Sequence, residues 1–274
     1  MNEDLVNLIV KRLSTDLGKL SSDFASSVAD VGVRHCVIDD LLPEELATHI
    51  HEIFPSGSNM RLMDNFRERK WTSKDFDRFD PLLADITFAI QDPRVIQVVE
   101  EITGIPEQMG DATLYAGGLS AMGEGHFLGP HIDNSHESTR SYYRTLNLLY
   151  YVTPGWEQDC GGNLELWDRK VKRQKTVHSR FNRLVIMETN PWSWHSVGVV
   201  KAHRVRHCVS NYYFSPRSPI DRDYFNVTSF SARPEQKVRR ALAWVDGKVR
   251  RVVRWVVPGG LGKKDIYQTP KMRR

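Results

Sequence analysis

Cysteine is scarce. The chain has three, Cys36, Cys160 and Cys208, odd in number and far apart. That excludes a disulfide framework or a zinc ribbon as the organising device. No apolar run approaches the roughly 20 residues needed to span a bilayer, which excludes a polytopic membrane protein. Internal repeats and low-complexity stretches are missing as well. With 40% hydrophobic and 26% charged residues, the composition is neither that of a disordered chain nor that of a collagen-like one. The opening MNEDLVNLIVKRL carries two acids and no basic stretch ahead of its apolar residues. It does not read as a secretory signal, so a reducing cytoplasm is the expected compartment.

What is present begins with length and charge. The 274 residues allow one large domain, or one domain with extensions. A net charge of +4 hides a division. From Arg233 to Arg274 there are thirteen Lys+Arg against three Asp+Glu, leaving 25 against 31 in the rest. An acidic body with a basic tail suggests that the tail meets something anionic.

Helical spacing dominates the first part. Leu5, Leu8, Ile9 and Leu13 fall on one face. Pro43-Glu44-Glu45 opens a second helix with Leu46, Ile50 and Ile53 on its apolar side. PLLADITFAIQ and PRVIQVVEEITGI follow as a third and fourth, the last stopped by Gly104. VGVRHCVIDDLL between the first two reads as a short strand, and MRLMDNFRERKWTSKDF as a charged, aromatic connector or lid. From Asp111 the texture changes. DATLYAGG, TLNLLYYVT, GGNLELWD, QKTVHS, RLVIMET and RHCVSNYYFS are short β-rich runs divided by turn residues. The expectation is an α+β chain with a mainly β core, a sandwich or barrel. It divides at 1–110, 111–216 and 217–274: helices, β core and basic extension. In the extension, Val238, Ala241, Leu242, Val245, Val249, Val252, Val253 and Val256 predict an amphipathic helix.

The sharpest local feature is Gly129-Pro130-His131-Ile132-Asp133-Asn134. On a strand, His131 and Asp133 share a face and offer a divalent metal two ligands. His195, in NPWSWHSV, is the best third. Two histidines and a carboxylate leave coordination positions open, which suits Fe(II) that must bind a cosubstrate and O2.

The order of GPHIDN, YRTLNLLYYVTPGW, CGGNLELWD, FNRLVIMET, WHSVGVV and RHCVSNYYFS resembles the Fe(II)/2-oxoglutarate dioxygenases, in their prolyl 4-hydroxylase-like branch. The resemblance covers about 118–215 and implies a double-stranded β-helix, or jelly roll, with the metal inside. It also implies that His131, Asp133 and His195 are iron ligands, and that Arg206 grips the distal carboxylate of 2-oxoglutarate. Arg204, of the same strand parity, is the rival. Tyr151 matches a tyrosine that bonds the same carboxylate in some relatives, and Thr145 and Asn147 share its face. Several relatives carry a tyrosine ten residues before the first ligand; Ala121 stands there, with Ser120 beside it as a substitute. Gly161 and Gly162 read as a turn that starts a strand, and Asn134 as a brace for the ligand loop. His126, His136, His178, His203 and His207 read as surface or structural residues.

The implied activity is hydroxylation of a C–H bond with release of succinate and CO2, using Fe(II), 2-oxoglutarate and O2, with ascorbate as a stimulant. Halogenating relatives carry a small residue where Asp133 stands, so the carboxylate implies hydroxylation. The substrate stays open among a small molecule, a sugar- or lipid-linked envelope metabolite and a peptidyl residue. A non-catalytic jelly-roll sensor that keeps the pocket is the alternative, and a metal-dependent hydrolase a third. Nucleic acid is not expected, since no recognition motif accompanies the basic tail. Residues 233–257 can be read as a helix docked on the barrel or on a second subunit of a homodimer. They can also be read as a peripheral contact with the inner face of a membrane, or as an arm for an anionic substrate.

Overall fold

A computed structural model describes residues 3–240 apart from 116, 138, 221, 237 and 239, together with Tyr267. Apart from Val238 and Arg240, the amphipathic tail helix lies outside the described residues. So does most of the 233–257 contact surface expected of it. Among the described residues no helix is long and apolar enough to cross a membrane.

Among the described residues six α-helices are delimited: α1 (Glu3–Thr15), α2 (Leu17–Ser26), α3 (Val28–Val31), α4 (Glu44–Glu52), α5 (Pro81–Ala89) and α6 (Pro93–Thr103). The ends of α5 and α6 follow from local chemistry. Each has Pro at the first turn, where its missing N–H costs nothing. Each also has an Asp whose carboxylate accepts a free backbone N–H: Leu82 N at 2.9 Å from Asp80, and Arg94 N at 2.9 Å from Asp92. Gly104 closes α6 at φ +66°, a left-handed conformation open to glycine. α6 buries Val95, Val99 and Ile102, each contributing roughly 1.5–3 kcal/mol of transfer free energy.

Among the described residues thirteen strands make one curled antiparallel sheet: β1 (His35–Ile38), β2 (Arg61–Asn65), β3 (Glu68–Ser73), β4 (Met109–Gly110), β5 (Gly118–Met122), β6 (Phe127–Ile132), β7 (Tyr143–Tyr151), β8 (Leu164–Trp167), β9 (Gln174–Val177), β10 (Arg183–Glu188), β11 (His195–Val197), β12 (Arg206–Ser215) and β13 (Ser229–Phe230). The hydrogen-bonded order is β1-β10-β7-β12-β5-β3-β6-β11-β8-β9, the double-stranded β-helix. Alternation along β7 divides two cores. Leu146, Leu148 and Tyr150 face the core shared with the helices. Tyr151 faces the barrel interior with Leu164, Leu166, Val185, Met187 and Cys208.

Three expectations are corrected. In DATLYAGG, 111–115 is turn and loop, and within the run pairing starts only at Gly118. MRLMDNFRERKWTSKDF is not a connector: β2 and β3 pair as a hairpin, and β3 bonds to β5 and β6. In the mostly helical first 110 residues the strand expected in VGVRHCVIDDLL forms as β1, and, beyond that expectation, β2, β3 and β4 enter the sheet as well.

Two irregularities aim side chains. Between His195↔His131 and Val197↔Leu128, β6 spends one residue more than β11. This bulge falls at Gly129-Pro130, where a residue without an N–H is tolerated. Between Tyr213↔Leu146 and Phe214↔Arg144, β7 carries an extra residue, Thr145. That shift reverses the facing of everything before it.

Candidate metal centre and cosubstrate pocket

His131, near the end of β6, and His195, first in β11, are direct cross-strand partners. Their rings lie 4.1 Å apart between centroids. Asp133 sits one residue beyond β6 and turns back to them. Its Oδ1 is 3.6 Å from His131 Nε2 and its Oδ2 3.6 Å from His195 Nε2. Ligand atoms of the three lie within 4.8 Å of one another, the one such group among the described residues. Each imidazole has its other nitrogen tied down: His131 Nδ1 to Gly129 O at 3.0 Å, and His195 Nδ1 to Ser193 O at 3.0 Å. A backbone carbonyl can only accept, so Nδ1 carries the proton and Nε2 keeps its lone pair for a metal.

Electrostatics agree with that role. Burial, with His195 beside it, pushes His131 down to about 3, so it is neutral at pH 7. Burial opposes ionisation of Asp133, but Arg144 and the two imidazoles outweigh it and hold the carboxyl below the usual range. Arg144 NH1 is 3.3 Å from Asp133 Oδ1, and Asn147 Nδ2 donates to Oδ2 at 2.9 Å. Two Nε2 lone pairs and an anchored carboxylate fit a divalent ion.

Across the cavity Arg206 is buried. It donates to Gly162 O and to Ser179 Oγ at 3.3 Å, and its guanidinium lies 5.0 Å from the centre of the Tyr151 ring. Its Nε has no partner, a buried donor left open. Burial pushes the Tyr151 hydroxyl up to about 12, so it stays protonated and can donate. This donor set fits a carboxylate. Arg204 lies on the surface, bonded to Gly155 O at 3.1 Å and Pro154 O at 2.6 Å.

Asn147 and Tyr151 line the same cavity, which has a volume near 780 Å³. Thr145 does not, a correction to its expected place. The bulge turns it outward, where its hydroxyl bonds Gln108 Oε1 at 2.6 Å and Tyr213 O at 3.2 Å. The same bulge brings in Arg144, which sequence parity concealed. Ser120 lines the cavity while Ala121 is packed in the core. Gly161 and Gly162 do form the turn ahead of β8. Asn134 donates to His136 O within the ligand loop. His136 also lines the cavity. His126 packs on Trp71, His207 on Phe54, and His178 bonds Trp156 O. His203 is exposed, and all three cysteines are free.

The segment after the barrel was missed as part of the site. β13 pairs with β6, Phe230 stacks on His131 at 5.4 Å, and Asn226 Nδ2 donates to Asp133 O at 2.8 Å. No periodicity marks it, because each residue acts singly.

The Gly161-Gly162 turn supplies the carbonyl that Arg206 holds, and it tolerates little change. Gly161 has φ +73° and ψ −161°, a region essentially reserved for glycine. A Cβ there would sit 2.1 Å from Val199 O. Gly161→Ala should cost about 3 kcal/mol or more in urea unfolding, combining backbone strain with the clash. A cost under about 1 kcal/mol would contradict this geometry.

A model of the 2OG-Fe(II) oxygenase superfamily matches residues 117–214. By that match, residues 117–214 are similar to a 2OG-Fe(II) oxygenase domain. It encompasses the metal triad, Arg206 and Tyr151. Mouse (Mus musculus) prolyl 3-hydroxylase OGFOD1 is 30% identical over 88 residues, which are 30% of this chain and 16% of that protein. The match therefore spans only about a sixth of that relative's length. In fold, the chain is similar to a prolyl 4-hydroxylase from Phytophthora capsici. The TM-score is 0.52 at 18% identity, covering 91% of this chain and 80% of the other. It is also similar to the non-heme alpha ketoglutarate dependent epimerase SnoN of nogalamycin biosynthesis. There the TM-score is 0.50 at 10% identity, covering 74% and 84%.

Proposed function

We propose that this chain is an Fe(II)- and 2-oxoglutarate-dependent hydroxylase. His131, Asp133 and His195 hold the iron, and Arg206 with Tyr151 takes the far carboxylate of 2-oxoglutarate. The observation that carries the reading is the convergence of two Nε2 lone pairs and one carboxylate on a single point, opposite a buried guanidinium with an open donor.

When bound, iron and the ketoacid supply the oxidation of a substrate C–H bond, coupled to release of succinate and CO2. The chain supplies order. The carbonyls of Gly129 and Ser193 keep both imidazoles in the ligating tautomer. Asn147 and Arg144 fix the two Asp133 oxygens. Arg206 is always charged and its planar fork matches a carboxylate, so it sets the direction in which the ketoacid lies. A carboxylate at position 133 leaves no ligand position for a halide, which favours hydroxylation. The mouse relative's activity supports a prolyl residue as the group oxidised.

The test is the visible spectrum without O2. Adding Fe(II) and 2-oxoglutarate should produce a charge-transfer band, absent in His131→Ala. Well-folded protein with no band would instead be a jelly-roll binding module.

A further inference from the structure

The walls of the 780 Å³ cavity carry seven Lys/Arg against three Asp/Glu. The hairpin β2–β3 shows how this arises. Arg61 pairs with Thr72, Met63 with Lys70 and Asn65 with Glu68, and all six residues line the cavity. Trp71, of the opposite parity on β3, faces away and packs on His126 at 4.2 Å. A strand with one face on a core normally turns its apolar residues inward. Here the inward face is polar but for Met63, with Lys70 paired to Glu68 at 3.1 Å, and the outward one holds the tryptophan, so the inner face is built for something wet and charged.

The positive groups also ring the reacting end. Arg67, in the hairpin turn, lies 5.3 Å from the Phe230 ring, which stacks on His131. Arg140 sits over Phe225 at 4.4 Å on the opposite rim, and Lys74 extends the hairpin row. A ferrous ion and a 2-oxoglutarate dianion cancel each other's charge, so a loaded site keeps the positive excess. Walls of one sign around a low-dielectric cleft concentrate ligands of the other.

We propose that the substrate of this site is an anion, carrying carboxylate or phosphate groups that lie along the hairpin face formed by Arg61, Lys70 and Lys74. This rests on the oxygenase reading above. The shared chemistry could be delivered by an acidic peptide or by a small phosphorylated molecule.

The experiment uses the full chain with Fe(II) and 2-oxoglutarate and without O2. The visible band is checked first; its absence in folded protein would defeat the oxygenase reading, independently of any charge preference. Binding is then measured for dye-labelled prolyl heptapeptides flanked by glutamate, glutamine or lysine. A parallel arm uses glucose 6-phosphate against glucose. The expected result is that the anionic member of at least one arm binds at least about tenfold tighter than its neutral partner. That arm names the source. Raised salt should weaken the preference, and Arg61→Glu/Lys74→Glu should abolish it, while Lys201→Glu outside the cavity keeps it. Equal binding of anionic and neutral probes in both arms would overturn the proposal. So would an undiminished preference in the double variant. If the double variant does not fold, the wild-type probe series decides alone.

Discussion

Arg206→Met should raise the Kd for 2-oxoglutarate roughly hundredfold while leaving metal binding in place. The guanidinium is buried at 3% exposure; Gly162 O and Ser179 Oγ share one terminal nitrogen, and Met122 Sδ lies 3.2 Å from the other. Truncating one side of a buried, hydrogen-bonded charge pair costs about 2–5 kcal/mol. The middle of that range, about 3 kcal/mol, corresponds to two decades in Kd. Arg206→Lys keeps the charge but loses the planar fork, so it should fall between, near tenfold. Arg206 touches none of the triad, so Mn(II) affinity without the ketoacid should be unchanged. Ligand-free stability should hardly fall, because methionine fills similar volume and removes a buried donor that has no partner. Titrating 2-oxoglutarate into the ferrous protein without O2 measures the first effect, and thermal unfolding the last. Wild-type affinity in Arg206→Met would remove this residue from the ketoacid site.

The iron triad was legible because its geometry is local. An HxD pair with one residue between keeps both side chains on one side even though Asp133 falls just past β6, and His195 opens a strand that pairs across from His131. The capped helices were legible for the same reason: Asp80-Pro81, Asp92-Pro93 and Gly104 mark ends by backbone chemistry alone. The site's second layer was not. A single extra residue at Thr145 inverts parity, and a bulge here has no signature in composition. Strict alternation therefore put Thr145 in the cavity and hid Arg144. The hairpin was read as a connector because its inner face, Arg61, Lys70 and Lys74, is polar, and apolar alternation is the signal by which strands are found. Asn226 and Phe230 act through a few hydrogen bonds to Asp133 and Ser135 and one ring contact with His131, nearly a hundred residues away in sequence.

Arg144→Met should destabilise the metal-free protein by about 3–5 kcal/mol, and a divalent ion should return most of it. Arg144 is 1% exposed and is the strongest influence favouring the Asp133 carboxylate. Its guanidinium stacks 4.3 Å over the Tyr212 ring. Without it, Asp133 loses its one Arg partner and keeps the Asn147 hydrogen bond, leaving a poorly compensated buried charge of the kind that costs this much. A metal ion on His131, Asp133 and His195 supplies the missing positive charge. At a hundredfold over its Kd, mass action alone adds about 2.7 kcal/mol. Saturating Mn(II) should therefore rescue Arg144→Met more than it stabilises the wild type. The double variant Arg144→Met/Asp133→Asn removes both partners and should lie close to the wild type when metal-free, though it binds no ion. Urea unfolding of the wild type, Arg144→Met, Asp133→Asn and the double variant in chelator closes the cycle. A coupling of about 2 kcal/mol or more is expected, because the two groups share one contact. Strict additivity, or a metal that stabilises Arg144→Met no more than wild type, would mean that Arg144 packs beside the site without balancing its charge.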